Sequence, residues 1–349
     1  MTGPLTRTRE RTGTGTRARA RPPGGARRGR AAVCAAVTAL LVPLAAACGQ
    51  EDGGPRGNRA APGAGAAADR AAAPPAGPAA ERANADLVRG LYEEVFSKQR
   101  LDLAGRYLKK DYLQHTPNVP LGLSGFTMFY EQVFFKTFPD VTATLDQVIT
   151  QNDKVVSFAT WRGRQAGSGK ELELRTADVY RVEDGLLAEH WDVIDYYTLM
   201  RFGSPPPTGD QPVTRVDRTG GPAQRANAAL AERFAAEVLT GRRWDRAGEY
   251  LSEDLKQHDP EIGQGLAGFQ EHYRGYLERF PDLSVTISHI VAGEDRVAVF
   301  WTARGSESGT LRTLRLNVAD VYRVEDGRFV EHWDVVDHSG LAQFGIGVE

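Results

Sequence analysis

Two acids and one imidazole recur in this chain at the same spacing. Asp178, His190 and Asp192 stand in or beside the phrase "ADVYRVEDGLLAEHWDV" at 177–193, and Asp320, His332 and Asp334 in "ADVYRVEDGRFVEHWDV" at 319–335. The two phrases differ only in the three residues after Asp-Gly. Carboxylates beside an imidazole are the material of general acid–base catalysis, because burial and neighbouring charge shift such groups toward proton exchange near neutral pH.

Each phrase reads as a β-hairpin, and strand parity sorts its residues onto two faces. A three-residue loop, Glu183-Asp184-Gly185, with Gly in the left-handed conformation, sets Val182 against Leu186, Asp178 opposite His190 and Thr176 opposite Asp192. Asp178, Tyr180, His190 and Asp192 then share one face, and Val179, Arg181, Glu189, Trp191 and Val193 the other. In the second phrase Asp320, Tyr322, His332 and Asp334 follow the same parity, and His338 extends their face. A two-residue Asp-Gly loop would instead set Asp178 beside Trp191. Trp191 and Trp333 read as packing residues on the opposite face.

If helices cover the polar face, the acids and the imidazole line a largely apolar cavity, where they cannot stay ionised cheaply without partners. His115 of "LQH" and His258 of "KQH" are placed to close that cavity from above, and with Tyr180 and Tyr322 they are the candidate ligand contacts. A second reading fits equally: a satisfied hydrogen-bond network on a solvent-exposed sheet. His115, Asp178 and His190 form a formal two-His, one-carboxylate set, but their spacing is no recognised ligand signature, so no metal and no cofactor is expected. There is no Gly-rich phosphate loop and no nucleophile elbow, which speaks against NTP-dependent and serine-hydrolase chemistry.

The elements that must position these residues also come in pairs. Leu87, Leu91 and Val95 recur at helical spacing after Asn84, a candidate N-cap, and Leu230, Phe234 and Val238 do so after Asn227. "FPD" recurs at 138–140 and 280–282; the offset between copies is 143 up to the loop Gly and 142 from "FPD" onward, so the second copy lacks one residue of the intervening helix. Helices followed by hairpin-linked strands predict an α+β domain with a curved antiparallel sheet, present twice. The expected division is a leader at 1–47, an Ala/Gly/Pro-rich disordered tether at 48–82, a first domain at 83–203, a Pro/Gly-rich linker at 204–224 and a second domain at 225–349.

The first thirty residues carry nine Arg against one Glu, and the uncharged apolar run at 31–47 has the length of a secretory h-region rather than of a membrane span. "LAAAC", ending at Cys48, resembles a bacterial lipobox, which predicts export and a lipid on Cys48; an ordinary signal peptide is the alternative. The other cysteine, Cys34, lies in the leader, so the mature fold has no disulfide. Removing the leader's net +8 takes the formal charge from −2 to about −10, an acidic balance that speaks against nucleic-acid binding.

"YLQHTPNVPLG", "FPD" and "ADVYRVEDGLLAEHWDV", with "LKQHDPEIGQG", "FPD" and "ADVYRVEDGRFVEHWDV" in the second copy, resemble the SnoaL-like branch of the nuclear transport factor-like superfamily. The resemblance implies two tandem cone-shaped α+β barrels, each a sheet wrapped on helices around a deep pocket. It also implies cofactor-free aldol chemistry, with the acid–base Asp of the His-Trp-Asp motif at Asp192 and Asp334 and the adjacent pocket His at His190 and His332. Asp178 and Asp320 stand where those cyclases carry His, a departure that bears on substrate and reaction. The superfamily pairs subunits through their sheets, which implies an intramolecular pseudo-dimer. The expected function is thus an exported acid–base enzyme for a small hydrophobic carbonyl compound; a non-catalytic small-molecule-binding lipoprotein and an interaction module are the alternatives.

Overall fold

A computed structural model describes residues 77–345, apart from 206, 208, 210, 214 and 215. The leader, Cys48 and the tether up to residue 76 lie outside the described residues. Helix α1 (Pro78–Gly90) opens on a proline, which the first turn tolerates because its N–H would have no helical partner. It runs into a π-helical turn, Leu91–Ser97, that buries Leu91, Tyr92, Val95 and Phe96. Asn84 is not the cap expected of it: it sits inside α1 and donates to Asn152 O (2.9 Å).

The strands of the first copy are β1 (Leu108–Gln114), β2 (Thr142–Gln151), β3 (Lys154–Arg164), β4 (Glu171–Glu183) and β5 (Leu186–Ile194), in the sheet order β1-β5-β4-β3-β2. Between β1 and β2 lie α2 (Gly122–Phe129), a π-helical turn at Tyr130–Phe134 and α3 (Phe135–Thr137); α4 (Tyr196–Met200) follows β5. The second copy repeats the plan with α5 (Pro222–Phe234), β6 (Leu251–Gln257), α6 (Gly265–Arg279), β7 (Ser284–Ala292), β8 (Arg296–Ser306), β9 (Thr313–Glu325) and β10 (Arg328–Val336). Its sheet order is β6-β10-β9-β8-β7. These are the two tandem α+β domains expected, with one amendment. Each sheet is mixed rather than antiparallel throughout, because β1 runs parallel to β5 and β6 parallel to β10. Four of the five strands are joined by hairpins, whereas β1 enters from the helical layer, where no turn dictates its direction.

The hairpin loop corrects the expected register. Glu183 pairs with Leu186, so the loop is the two-residue Asp184-Gly185, both left-handed (φ 54° and 75°), as a primed turn requires. A bulge at Ala188 then shifts the ladder by one residue, so that Tyr180 lies opposite His190 and Asp178 opposite Asp192. Shorter loop and bulge cancel in parity. The face assignment therefore survives although every cross-strand partner named for it was wrong. The second copy repeats both features, with Asp326-Gly327 in the turn and Asp320 opposite Asp334.

Each copy has its own apolar core between helices and sheet. A third core joins the copies: Phe158, Val179, Trp191 and Val193 of the first sheet pack with Phe300, Ala319, Val321 and Val335 of the second. The two sheets thus bury their outer faces against one another, the arrangement expected of an internal pair.

Candidate functional site

The helix-facing side of the first sheet lines a cavity of about 360 Å³, within the usual range for small-molecule sites. Asp178, His190 and Asp192 are all buried in its wall, as is Tyr180. His115 and His258 are not there. Strand parity sends each to the opposite face, where His115 stacks on Trp191 (5.0 Å between ring centres) and meets Glu189 (2.9 Å), while His258 stacks on Trp333 and meets Glu331 (2.7 Å). The residue of "LQH" that reaches the cavity is the glutamine before the histidine, which the sequence reading passed over.

Gln114 fixes how His190 is protonated. Its Oε1 accepts the Thr116 backbone N–H (3.0 Å), and a backbone N–H can only donate, so the amide cannot be turned round. His190 Nδ1 lies 2.6 Å from the same oxygen and therefore carries a proton. His190 Nε2 faces Asp178 Oδ1 at 2.9 Å. Asp178 Oδ2 accepts from Tyr92 Oη (2.8 Å) and Thr176 Oγ1 (3.0 Å), donors that favour a charged carboxylate. With both ring nitrogens engaged, one by Gln114 and one by Asp178, His190 is held in place and has no nitrogen free to shuttle a proton to a guest.

Asp192 is the group left to move a proton. Burial, with the Asp178 charge adding to it, raises its carboxyl above the ordinary range, against the opposing pull of the His190 charge and the donors Thr116 and Gln211. Thr116 Oγ1 donates a short hydrogen bond to Asp192 Oδ2. Gln211, from the segment between the copies, donates through Nε2 to Asp192 Oδ1 and Asp192 O (both 2.8 Å), and its Oε1 accepts the Asp192 N–H (3.0 Å). β1 pairs with β5 only as far as His190, so Asp192 would otherwise present an unpaired edge; the Gln211 amide stands in for the missing strand.

Much of the rest of the wall is aromatic, including Phe96, Phe126, Phe134 and Trp161, with aliphatic residues such as Leu174 and Ile194 between them, and among the described residues no Lys or Arg lines it. Tyr112 and Tyr130 also line it, and burial holds both hydroxyls in the protonated form. Tyr92, Tyr112, Thr116, Tyr130, Thr176 and Gln211 were missed by the sequence reading. Inward parity along β1 would have given Tyr112 and Gln114; nothing local marks Gln211.

The second copy holds the same triad in a different state. Asp320 and His332 are completely buried and joined at 3.1 Å, and neither reaches the hollow of this copy, which is lined by Asp334 and Trp301 among others and measures about 30 Å³, room for water but not for an organic guest. Tyr322 stacks on His332 (4.6 Å) and on Phe329 (4.5 Å), which replaces the smaller Leu187 of the first copy. Trp301 Nε1 donates directly to Asp320 Oδ2 (2.6 Å). At the position of Thr116 stands Asp259, which hydrogen-bonds Asp334; burial, then the Asp259 and Asp320 charges, push the Asp334 carboxyl well above the usual range. In each copy the two acids and the imidazole offer ligand atoms within 4.8 Å of one another, and the imidazole is in direct contact with Asp178 or Asp320.

A family model described as SnoaL-like polyketide cyclase matches residues 86–201 and again 229–343. No match is found among the curated proteins. Solved structures similar to this chain include TsrD from Streptomyces laurentii, 27% identical over 35% of this chain and 96% of that one, with a TM-score of 0.33. Wild-type IdmH from Streptomyces antibioticus is 26% identical over 34% of this chain and 96% of that one, with a TM-score of 0.31. AclR from Streptomyces galilaeus is 28% identical over 35% of this chain and 97% of that one, also with a TM-score of 0.31. Each alignment spans about one copy of the repeat.

Proposed function

Because this chain belongs to the SnoaL-like polyketide cyclase family, we propose that its first copy is a cofactor-free acid–base site for a small hydrophobic carbonyl compound. The observation that carries this reading is Asp192, a buried carboxyl with a raised proton affinity in the wall of a 360 Å³ aromatic cavity. Asp192 takes the proton from the carbon next to the carbonyl, and Tyr112 or Tyr130 donates a hydrogen bond to the oxygen on which charge develops. A positive charge on His190, held by Gln114 and Asp178, favours ionised Asp192 and the developing enolate alike. Intramolecular addition of that enolate to a second carbonyl forms the ring and leaves an alkoxide, which takes the proton back from Asp192 to give the aldol; return of the proton to a different carbon instead gives an isomerase.

The second copy, with no room for a guest, serves in this reading as a permanent partner for the first. We further propose that the leader directs export and that Cys48 carries the lipid, with the tether holding the pair off the membrane. The satisfied state of Asp178 and of both His190 nitrogens favours a second reading, a carrier that binds the same guest without turnover.

Deuterium wash-in separates the two. The full chain is incubated in D₂O with a panel of aryl ketones, and label at the carbon next to the carbonyl is read by mass spectrometry. Exchange that survives Asp334→Asn and disappears in Asp192→Asn supports the enzyme; capture of a ketone in native mass spectra without exchange supports the carrier.

A further inference from the structure

The copies differ in length at one place, and that place borders the open cavity. Phe126 and Phe269 are 143 residues apart, Phe138 and Phe280 only 142, and all four are buried at equivalent positions of their cores. The helix between these anchors must therefore span the same distance with one residue more in the first copy. The surplus is taken up as the π-helical turn at Tyr130–Phe134, where the Phe135 N–H reaches back five residues to Tyr130 O; α6 of the second copy runs through uninterrupted, and its closing N–H, on Phe280, reaches back four to Tyr276 O. A single inserted residue is what such a turn accommodates.

The turn has consequences for the hollow beneath it. Tyr130 and Phe134 are half-buried, with their rings turned inward, while residues 131–133 between them are exposed and Val133 still lines the cavity, so the turn lies at the mouth. At the position of Tyr130 the second copy has Tyr273, which is buried and stacked flat on Trp244 (4.5 Å, 8°). The first copy has Leu101 where Trp244 stands, and its tyrosine is not stacked flat but tilted against Phe96 (5.0 Å) and Phe126 (4.6 Å).

We propose that the extra residue of this turn holds the first cavity open, and that the turn, through Phe129, Tyr130, Val133 and Phe134, is the portal that admits an uncharged, ring-bearing apolar guest. This deepens the reading of the first copy as the guest-binding half and rests on it only for the guest. The shape of the cavity is testable without any substrate.

Gln132 is exposed and does not line the cavity, so its deletion removes the surplus residue without removing a wall. A second variant replaces residues 131–137 by residues 274–279, a segment that already forms a continuous helix in this chain, and covers the case in which the deletion does not fold. Two probes are used on the full chain: xenon, by ¹²⁹Xe NMR, for the void, and 1-aminoanthracene fluorescence for guest binding. The expected result is that either folded variant loses the xenon site and binds 1-aminoanthracene at least about tenfold more weakly than the parent. Undiminished xenon and dye binding in a folded variant with a continuous helix overturns the proposal. A parent that takes xenon but no dye, with the xenon site lost in the variant, leaves the role of the turn standing and sinks the guest-binding reading instead.

Discussion

Glu81 Oε1 accepts a hydrogen bond from Gln224 Nε2 (2.9 Å), and the two residues occupy the same position in the two copies, 143 apart. Contact between equivalent residues marks the approximate twofold axis that relates the copies. Around that axis Asp195 meets His338 (3.4 Å), and their counterparts Asp337 and Tyr196 meet in turn. The sheet face through which a homodimer of this architecture would form is already covered from within. The chain is expected to run as a single copy in light scattering; a two-copy mass that persists on dilution would mean that another face drives association.

Gln211→Leu tests the strand surrogate. The substitution leaves the Asp192 N–H and C=O without their partner and removes one donor from the carboxylate. A cost of about 1–3 kcal/mol in urea unfolding is expected from the unpaired backbone groups. The Asp192 carboxyl should also move further upward, because the Gln211 donor opposes its raised proton affinity. Carbon-13 titration of Asp192 reads this second effect, which loosening of the linker alone would not produce. An unchanged titration would show that the hydrogen bond to Oδ1 has no hold on the proton.

The repeat, the hairpins and the inward set of Asp178, Tyr180, His190 and Asp192 were legible because each rests on local periodicity. The face was read correctly from the wrong register, since the two-residue turn and the Ala188 bulge each reverse parity and together restore it. His115 misled because it is the conspicuous residue of its tripeptide, whereas alternation along β1 turns Gln114 inward. The closure of the second hollow was illegible for another reason. It depends on Trp301, Phe329 and Tyr273, which are ordinary core residues one by one and meet only in the fold. The length difference in the helix was visible as an offset, but only the π-helical turn gives it a place and a meaning.

The pH dependence of stability carries two opposing signatures. Burial, aided by the Asp178 charge, raises Asp192 in the folded protein above its unfolded value of about 4, so the folded state binds that proton more tightly. Its favourable share is fully present below pH about 4 and is lost as pH rises through the folded value; Asp334 behaves alike. Glu331 has the opposite sign. Burial alone would raise it, but His258, Arg323 and Lys256 hold it at about 2, so its share is present above about pH 4 and is lost as pH falls toward 2. Asp192→Asn and Asp334→Asn should each flatten the decline of unfolding free energy above pH 4, and Glu331→Gln should flatten the rise below it. A parent-like slope above pH 4 in both Asn variants would mean that neither acid is buried as described.

The two tryptophans that reach toward the triads should differ in what their indole N–H is worth. Trp301 Nε1 donates to Asp320 Oδ2 (2.6 Å), a group completely cut off from water, and the bond is charge-assisted where that carboxyl is ionised. Trp161 Nε1 donates to the neutral Thr176 hydroxyl (3.1 Å), which passes the polarity on to Asp178. Replacing either ring by Phe keeps most of the packing and deletes the donor. A hydrogen bond to a charged group contributes about 1.5–3 kcal/mol and one between neutral groups about 0.5–1.5 kcal/mol. Trp301→Phe is therefore expected to cost more than Trp161→Phe in urea unfolding at pH 7, by about 1 kcal/mol or more. The order should narrow when each is combined with the matching Asp320→Asn or Asp178→Asn, because the charge that separates them is gone. Equal costs in the single variants would indicate that Asp320 is not ionised, and that the second triad is a neutral hydrogen-bonded plug rather than a buried ion pair.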